Sequence, residues 1–275
     1  PLKYLQTGAA LERVAFELTE DLAGEGVGYA EIRFAPQLST ERGLSQMEVT
    51  EAVAAGVKRG MAAYPGIKIG LLLCCMRGID DSTYRANMET LKIAADCMED
   101  GEKGRIVCGV DLAGAEEVYD TGLFRSLFEE ADRYGLKRTI HAGEAGNAED
   151  VKTAVHMGAV RIGHGVRIAG NKEVIQLVKD KGVFLEMCPT SNRQTKAMEE
   201  MSAYPLKAFL EMGLKVTLNT DDPAIERTTL SREFRYMESL LNLTQEQKRL
   251  LLLNSVEAAF TSRNRKWKLK EQLLF

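Results

Sequence analysis

A short pattern repeats along this sequence and restricts the fold more than any other feature: amphipathic helical stretch, glycine, apolar run, polar loop. Apolar or β-branched runs recur at 29–34, 68–75, 106–112, 138–141, 161–163, 183–187 and 215–218. Gly26, Gly135, Gly158, Gly182 and Gly213 each stand just before one of them, where a glycine ends a helix by accepting a left-handed backbone. Leu11, Val14, Ala15, Leu18 and Leu22 follow the helical period, as do Leu123, Leu127, Phe128 and Ala131. This alternation predicts parallel βα units. A closed barrel of such units needs eight strands, and seven are found. A doubly wound open sheet could hold seven, but no glycine-rich phosphate loop follows any strand. No linker, repeat or low-complexity tract splits the chain. The expectation is therefore α/β: one TIM-type (β/α) barrel domain over 1–275, with seven of eight barrel strands present and the N-terminal βα unit lacking. The tail after Asp222 is expected to be helical and to pack outside the barrel.

Composition removes several function classes. A net charge of −4 gives no electrostatic footprint for nucleic acid. The basic run at 263–268 reads as the solvated face of a terminal helix. The apolar run at 69–76 is far too short to span a bilayer. Five cysteines, odd in number and without a C-x-x-C pair, read as reduced thiols. With no signal peptide at the start of the sequence, these thiols predict a cytoplasmic protein. The oligomeric state stays open.

Polar residues gather where the strands end, which in βα proteins is the side that carries chemistry. The fourth strand runs into His141-Ala142-Gly143-Glu144 and the fifth into Gly163-His164-Gly165. The sixth leads to Cys188-Pro189-Thr190-Ser191-Asn192, the seventh to Asn219-Thr220-Asp221-Asp222-Pro223, and the third to Asp111-Leu112-Ala113-Gly114. Two of only three histidines thus sit at strand ends, while His156 falls in a helical stretch and reads as structural. His141 alone could be an ordinary hydrogen-bonded strand terminus, and Asp221-Asp222 could cap a helix that starts at Pro223. Adjacent carboxylates on an extended segment point to opposite sides, so one could bind a metal while the other handles a proton. Histidine together with aspartate suits zinc or a similar divalent ion.

HAGE at 141–144, RIGHG at 161–165, CPTSN at 188–192 and NTDDP at 219–223 resemble the adenosine deaminases of the metal-dependent hydrolase superfamily, the bacterial type most closely. DLAG at 111–114 and YAEIRFAP at 29–36 agree, so the likeness runs along essentially the whole chain. It is not the cytidine-deaminase type, whose zinc site uses a C-x-x-C. The resemblance implies an eight-stranded barrel and hydrolytic removal of the 6-amino group of adenosine or 2'-deoxyadenosine by a zinc-activated water. It makes His141 and Asp221 zinc ligands, Glu144 the proton donor to purine N1, and His164 the base that orients the water. Asp222 would orient the same water and contact N7, and the Gly114 N–H would donate to N3. The partner implied is a small purine nucleoside.

The family pattern also has an H-x-H on its first strand, and no H-x-H occurs here. The metal is then offered only His141 and Asp221, fewer than the three protein ligands usual at catalytic zinc. The expectation is that this chain alone binds zinc poorly and turns over little substrate. The strands at 29–34 and 215–218 are also expected to present unpaired edges. Two other readings stay open: deamination of adenine or another aminopurine, and a non-catalytic purine-binding protein. A binuclear hydrolase of the superfamily fits less well, because the strand at 106–112 offers Asp111 where those enzymes place a bridging lysine.

Overall fold

The structure, a computed structural model, describes residues 2–98 and 106–273. They form two compact units, Pro1–Gly114 with Ser126–Lys137, and Ala115–Arg125 with Arg138–Phe275. Each is built on one parallel sheet in which spatial order equals chain order. Parallel neighbours need a crossover, and the repeated helices supply it.

The first unit holds β1 (Tyr29–Phe34), β2 (Lys68–Met76) and β3 (Val107–Ala113) in that order. Its helices are α1 (Gly8–Gly24), α2 (Gln46–Ala63), α3 (Asp81–Asp96) and most of α4 (Arg125–Arg133). Seven consecutive residues of β2, from Ile69 to Cys75, are buried. Both faces of this strand are therefore covered, as the unbroken apolar run required. At the end of β3, buried Asp111 accepts from the Arg33 guanidinium at 3.1 Å. Burial first, then the Asp111 charge, pushes the neighbouring Cys74 thiol well above its usual range.

The helical stripe expected on α1 is shifted. Leu11, Ala15 and Thr19 are buried, whereas Val14 is exposed. The cause lies on α2, where Gly56 and Gly60 let the two helices approach closely. A Cβ on Gly60 would meet Thr19 Cβ at 2.7 Å, and one on Gly56 would overlap the Glu12 carbonyl oxygen and sit 2.9 Å from Ala15 Cβ. A backbone atom cannot swing aside, so Gly56→Ala is expected to destabilise the protein by about 1–3 kcal/mol, the usual range for overpacking. The shift of its denaturant midpoint measures this, and an unchanged midpoint would show that α1 yields freely.

The second unit holds β4 (Thr139–Ala142), β5 (Arg161–His164), β6 (Phe184–Met187) and β7 (Lys215–Leu218). Its helices are α5 (Ala148–His156), α6 (Lys172–Lys181), α7 (Pro189–Gln194), α8 (Leu206–Glu211), α9 (Pro223–Glu226), α10 (Leu230–Leu241), α11 (Gln245–Ala258) and α12 (Arg263–Gln272). All seven strands lie within a residue of their predicted bounds, and the five predicted helix-ending glycines all have positive φ. Leu123 departs from prediction: it lies in a 3-10 turn and is exposed, while Leu127, Phe128 and Ala131 are buried.

The tail after Asp222 is helical, as expected. Helix α11 packs against β7, and Asn254 Nδ2 donates to the Val216 carbonyl at 2.9 Å. The open edge expected at 215–218 is thus partly covered by the chain's own tail. Beneath the sheet, Arg161 and Glu186 form a buried ion pair at 2.8 Å. Arg161 also donates to the Ala258 carbonyl and lies over the Phe260 ring, and Thr139 Oγ1 donates to Glu186.

Candidate active site

The C-terminal ends of β4 to β7 bring together residues far apart in sequence. His141 lies on β4 directly across from Gly163 on β5. A Cβ on Gly163 would come within 3.1 Å of His141 Cγ, so this glycine makes room for the imidazole. His164 ends β5, is 1% exposed, and has its ring centroid 5.1 Å from that of His141. Its backbone is left-handed at φ 63°, and Asp221, after β7, is left-handed at φ 62°. Non-glycine residues seldom adopt this region, and strained ones concentrate at functional sites. Asp221 is therefore not on an extended segment, contrary to the expected geometry of the aspartate pair.

One donor atom each from His141, His164 and Asp221 lies within 4.8 Å of the others. The sequence offered the metal only two of these. Imidazole nitrogens and a carboxylate oxygen form a donor set that fits a divalent transition ion. His164 Nε2 also faces two carboxylates, Glu144 Oε2 at 3.4 Å and Asp221 Oδ2 at 3.8 Å. Ser191 Oγ donates to Asp221 Oδ2 at 2.7 Å. Glu144 Oε1 accepts from Thr195 Oγ1 at 3.0 Å and from Asn192 Nδ2 at 3.3 Å.

His141, Glu144, His164 and Asp221 thus form one cluster. Asp222 follows at the N-terminus of α9, exposed, and its side chain makes no capping bond. Gly114 belongs to the first unit, with φ 106° and the Arg77 backbone nitrogen 3.2 Å from where a Cβ would stand. His156 ends α5 and is exposed.

Several residues that shape the cluster carried no signal in the sequence. Glu116, 6% exposed, lies in the loop before the 3-10 turn at Thr121–Phe124. Its carboxylate accepts from three successive backbone N–H groups, those of Gly143, Glu144 at 3.0 Å and Ala145 at 2.9 Å. It fixes the loop that carries Glu144, and Arg167 adds a bond to the Glu144 carbonyl at 3.1 Å. Gly143 is needed there, since its φ is 71° and a Cβ would strike Val151. On α9, burial and then the Asp221 charge push the Glu226 carboxyl up to about 7.

Similarity to known proteins agrees with this cluster. A family model described as adenosine deaminase matches residues 2–274. An adenosine deaminase from Haemophilus ducreyi is 42% identical over 262 residues, covering 95% of this chain and 75% of the relative. One from Clostridium botulinum is 40% identical over 274 residues, covering 98% and 80%. Among solved structures, an adenine deaminase from Arthrobacter aurescens aligns with a TM-score of 0.86 at 27% identity, covering 98% of this chain and 80% of that one. An Arabidopsis protein solved with GMP aligns with a TM-score of 0.86 at 25% identity, covering 97% and 78%. The fold class is thus the TIM-type α/β class of these hydrolases, with seven of its strands among the described residues. The match along the chain, joined to the clustered His141, Glu144, His164 and Asp221, makes this protein a member of the adenosine deaminase family.

Proposed function

We propose that the protein hydrolyses adenosine and 2'-deoxyadenosine to the inosine nucleosides and ammonia. The observation that carries this reading is the convergence of Glu144, His164 and Asp221 beside His141 at one end of a parallel sheet. His141 and Asp221 would hold a zinc ion, which lowers the pKa of a bound water to about 7.

The purine ring resists attack until N1 is protonated. Glu144 carries out that step as an acid. His164 Nε2, between the Glu144 and Asp221 carboxylates, directs the attacking water, and Asp222 is the second group proposed to orient it. Ser191 holds Asp221 in place through its hydroxyl. The relatives at 40–42% identity favour the nucleoside over the free base. The substrate is a small purine nucleoside and the compartment cytoplasmic, in keeping with five free cysteines. Among the described residues, no helix is long and apolar enough to cross a membrane.

The test is conversion of adenosine to inosine by purified protein, with adenine run alongside. Glu144→Gln keeps the shape and removes the acid, so its kcat is expected to fall by about 10²–10⁴, the usual worth of a general acid. Its melting temperature should stay near that of the parent. Equal turnover by parent and variant, or turnover of adenine alone, would overturn the reading. Because two protein ligands predict weak loading, the assay is run with added zinc, and no turnover there would favour the non-catalytic alternative.

A further inference from the structure

We propose that Asn192, anchored by Tyr204, is a positioning residue that decides which atoms of His164 and Glu144 carry protons, and that it thereby keeps His164 out of the metal's ligand set. The placement of Asn192 is independent of the reaction, but its use in catalysis rests on the proposed deamination.

Asn192 lies on α7 and is fully buried. A side-chain amide has one acceptor oxygen and an NH2 group with two donors. Tyr204, itself 3% exposed, donates its hydroxyl to Asn192 Oδ1 at 2.9 Å. Burial holds the Tyr204 phenol well above its usual pKa, so this donor keeps its proton. With the oxygen engaged, the NH2 group faces His164 Nδ1 at 3.0 Å and Glu144 Oε1 at 3.3 Å.

Each contact has a consequence. His164 Nδ1 must accept, so the neutral ring carries its proton on Nε2. That is the nitrogen facing the Glu144 and Asp221 carboxylates. An imidazole that ligates a metal through Nε2 carries its proton on Nδ1 instead. Here such a proton would point at the amide's own N–H. Although His164 stands close enough to His141 and Asp221 to share an ion, Asn192 selects the tautomer that does not. On Glu144, Oε1 already accepts from the Asn192 NH2 group, so an acid proton belongs on Oε2. One amide thus fixes which nitrogen of His164 and which oxygen of Glu144 stay bare, and His164 meets the attacking water as an Nε2–H donor that orients it, not as the base that the family resemblance implied.

The sequence makes a direct test practical, since it holds only three histidines. In full-length protein labelled with 15N-histidine, His156→Gln removes the exposed ring and His164→Asn identifies the His164 signals. Above the range where imidazole titrates, His164 is expected to show a bare Nδ1 and a protonated Nε2. Asn192→Asp replaces the NH2 donor with an acceptor oxygen, and Nδ1 is expected to gain a proton. Tyr204→Phe frees the amide to turn and is expected to give a mixture of tautomers. In both variants kcat should fall about 10–100-fold, with the adenosine KM changed less than about twofold. A protonated Nδ1 in the parent would overturn the proposal, and so would a bare Nδ1 in Asn192→Asp. If Asn192→Asp does not fold, Tyr204→Phe decides: signals identical to the parent's would also overturn it. A parent that shows the stated ring signals yet does not deaminate adenosine would sink the proposed reaction and leave the positioning role standing.

Discussion

Replacing Arg161 by methionine is expected to destabilise the protein by about 3–5 kcal/mol, the typical result of removing one partner from a buried ion pair. Arg161 is 3% exposed and Glu186 6%, so the carboxylate left behind is almost wholly shut off from water. Thr139 Oγ1 would still donate to it, but one hydroxyl does not replace a guanidinium. The Ala258 carbonyl would lose its donor as well, and α11 would be tied less firmly to β5. The double variant Arg161→Met with Glu186→Met should recover most of the loss, because the isolated charge is then gone. Urea denaturation of the two single variants, Arg161→Met and Glu186→Met, and of the double variant measures this. Two losses that simply add would mean that the pair is not coupled.

The second large effect is expected at Glu116. Glu116→Gln keeps the volume but sets an NH2 group against at least one of the three N–H donors that now share the carboxylate. Hydrogen bonds to a charged acceptor contribute about 1.5–3 kcal/mol each, and a buried donor left unpaired costs a similar amount. Glu144 rides on this loop, and displacing a reacting group by about 1 Å can cost on the order of 10² in rate. The variant should therefore melt lower and lose kcat, although Glu116 touches no reacting atom. A variant that melted lower yet kept its full kcat would show that the loop holds its shape without the carboxylate.

The strands, their parallel order and the cluster of His141, Glu144, His164 and Asp221 were legible because they rest on local text: apolar runs, glycines that end helices, and polar residues at strand ends. Glu116 was not legible. It stands beside Glu117 in a loop with no period, and only a contact 27 residues away shows its role. Tyr204 was hidden for the same reason, since its partner Asn192 lies across a loop and a 3-10 turn. The α1 stripe was misread at Val14 because helix packing at Gly56 and Gly60 overrides the plain 3.6-residue count. The left-handed backbones of His164 and Asp221 were not legible, because histidine and aspartate visit that region more than most side chains but still seldom.

Those two backbones carry a consequence for how such a protein can change. A left-handed conformation costs a side-chain-bearing residue about 1–2 kcal/mol, and glycine escapes that cost. At each position a glycine would relax the chain and erase a reacting group in the same stroke. Selection for heat tolerance and selection for turnover therefore pull in opposite directions at these two points.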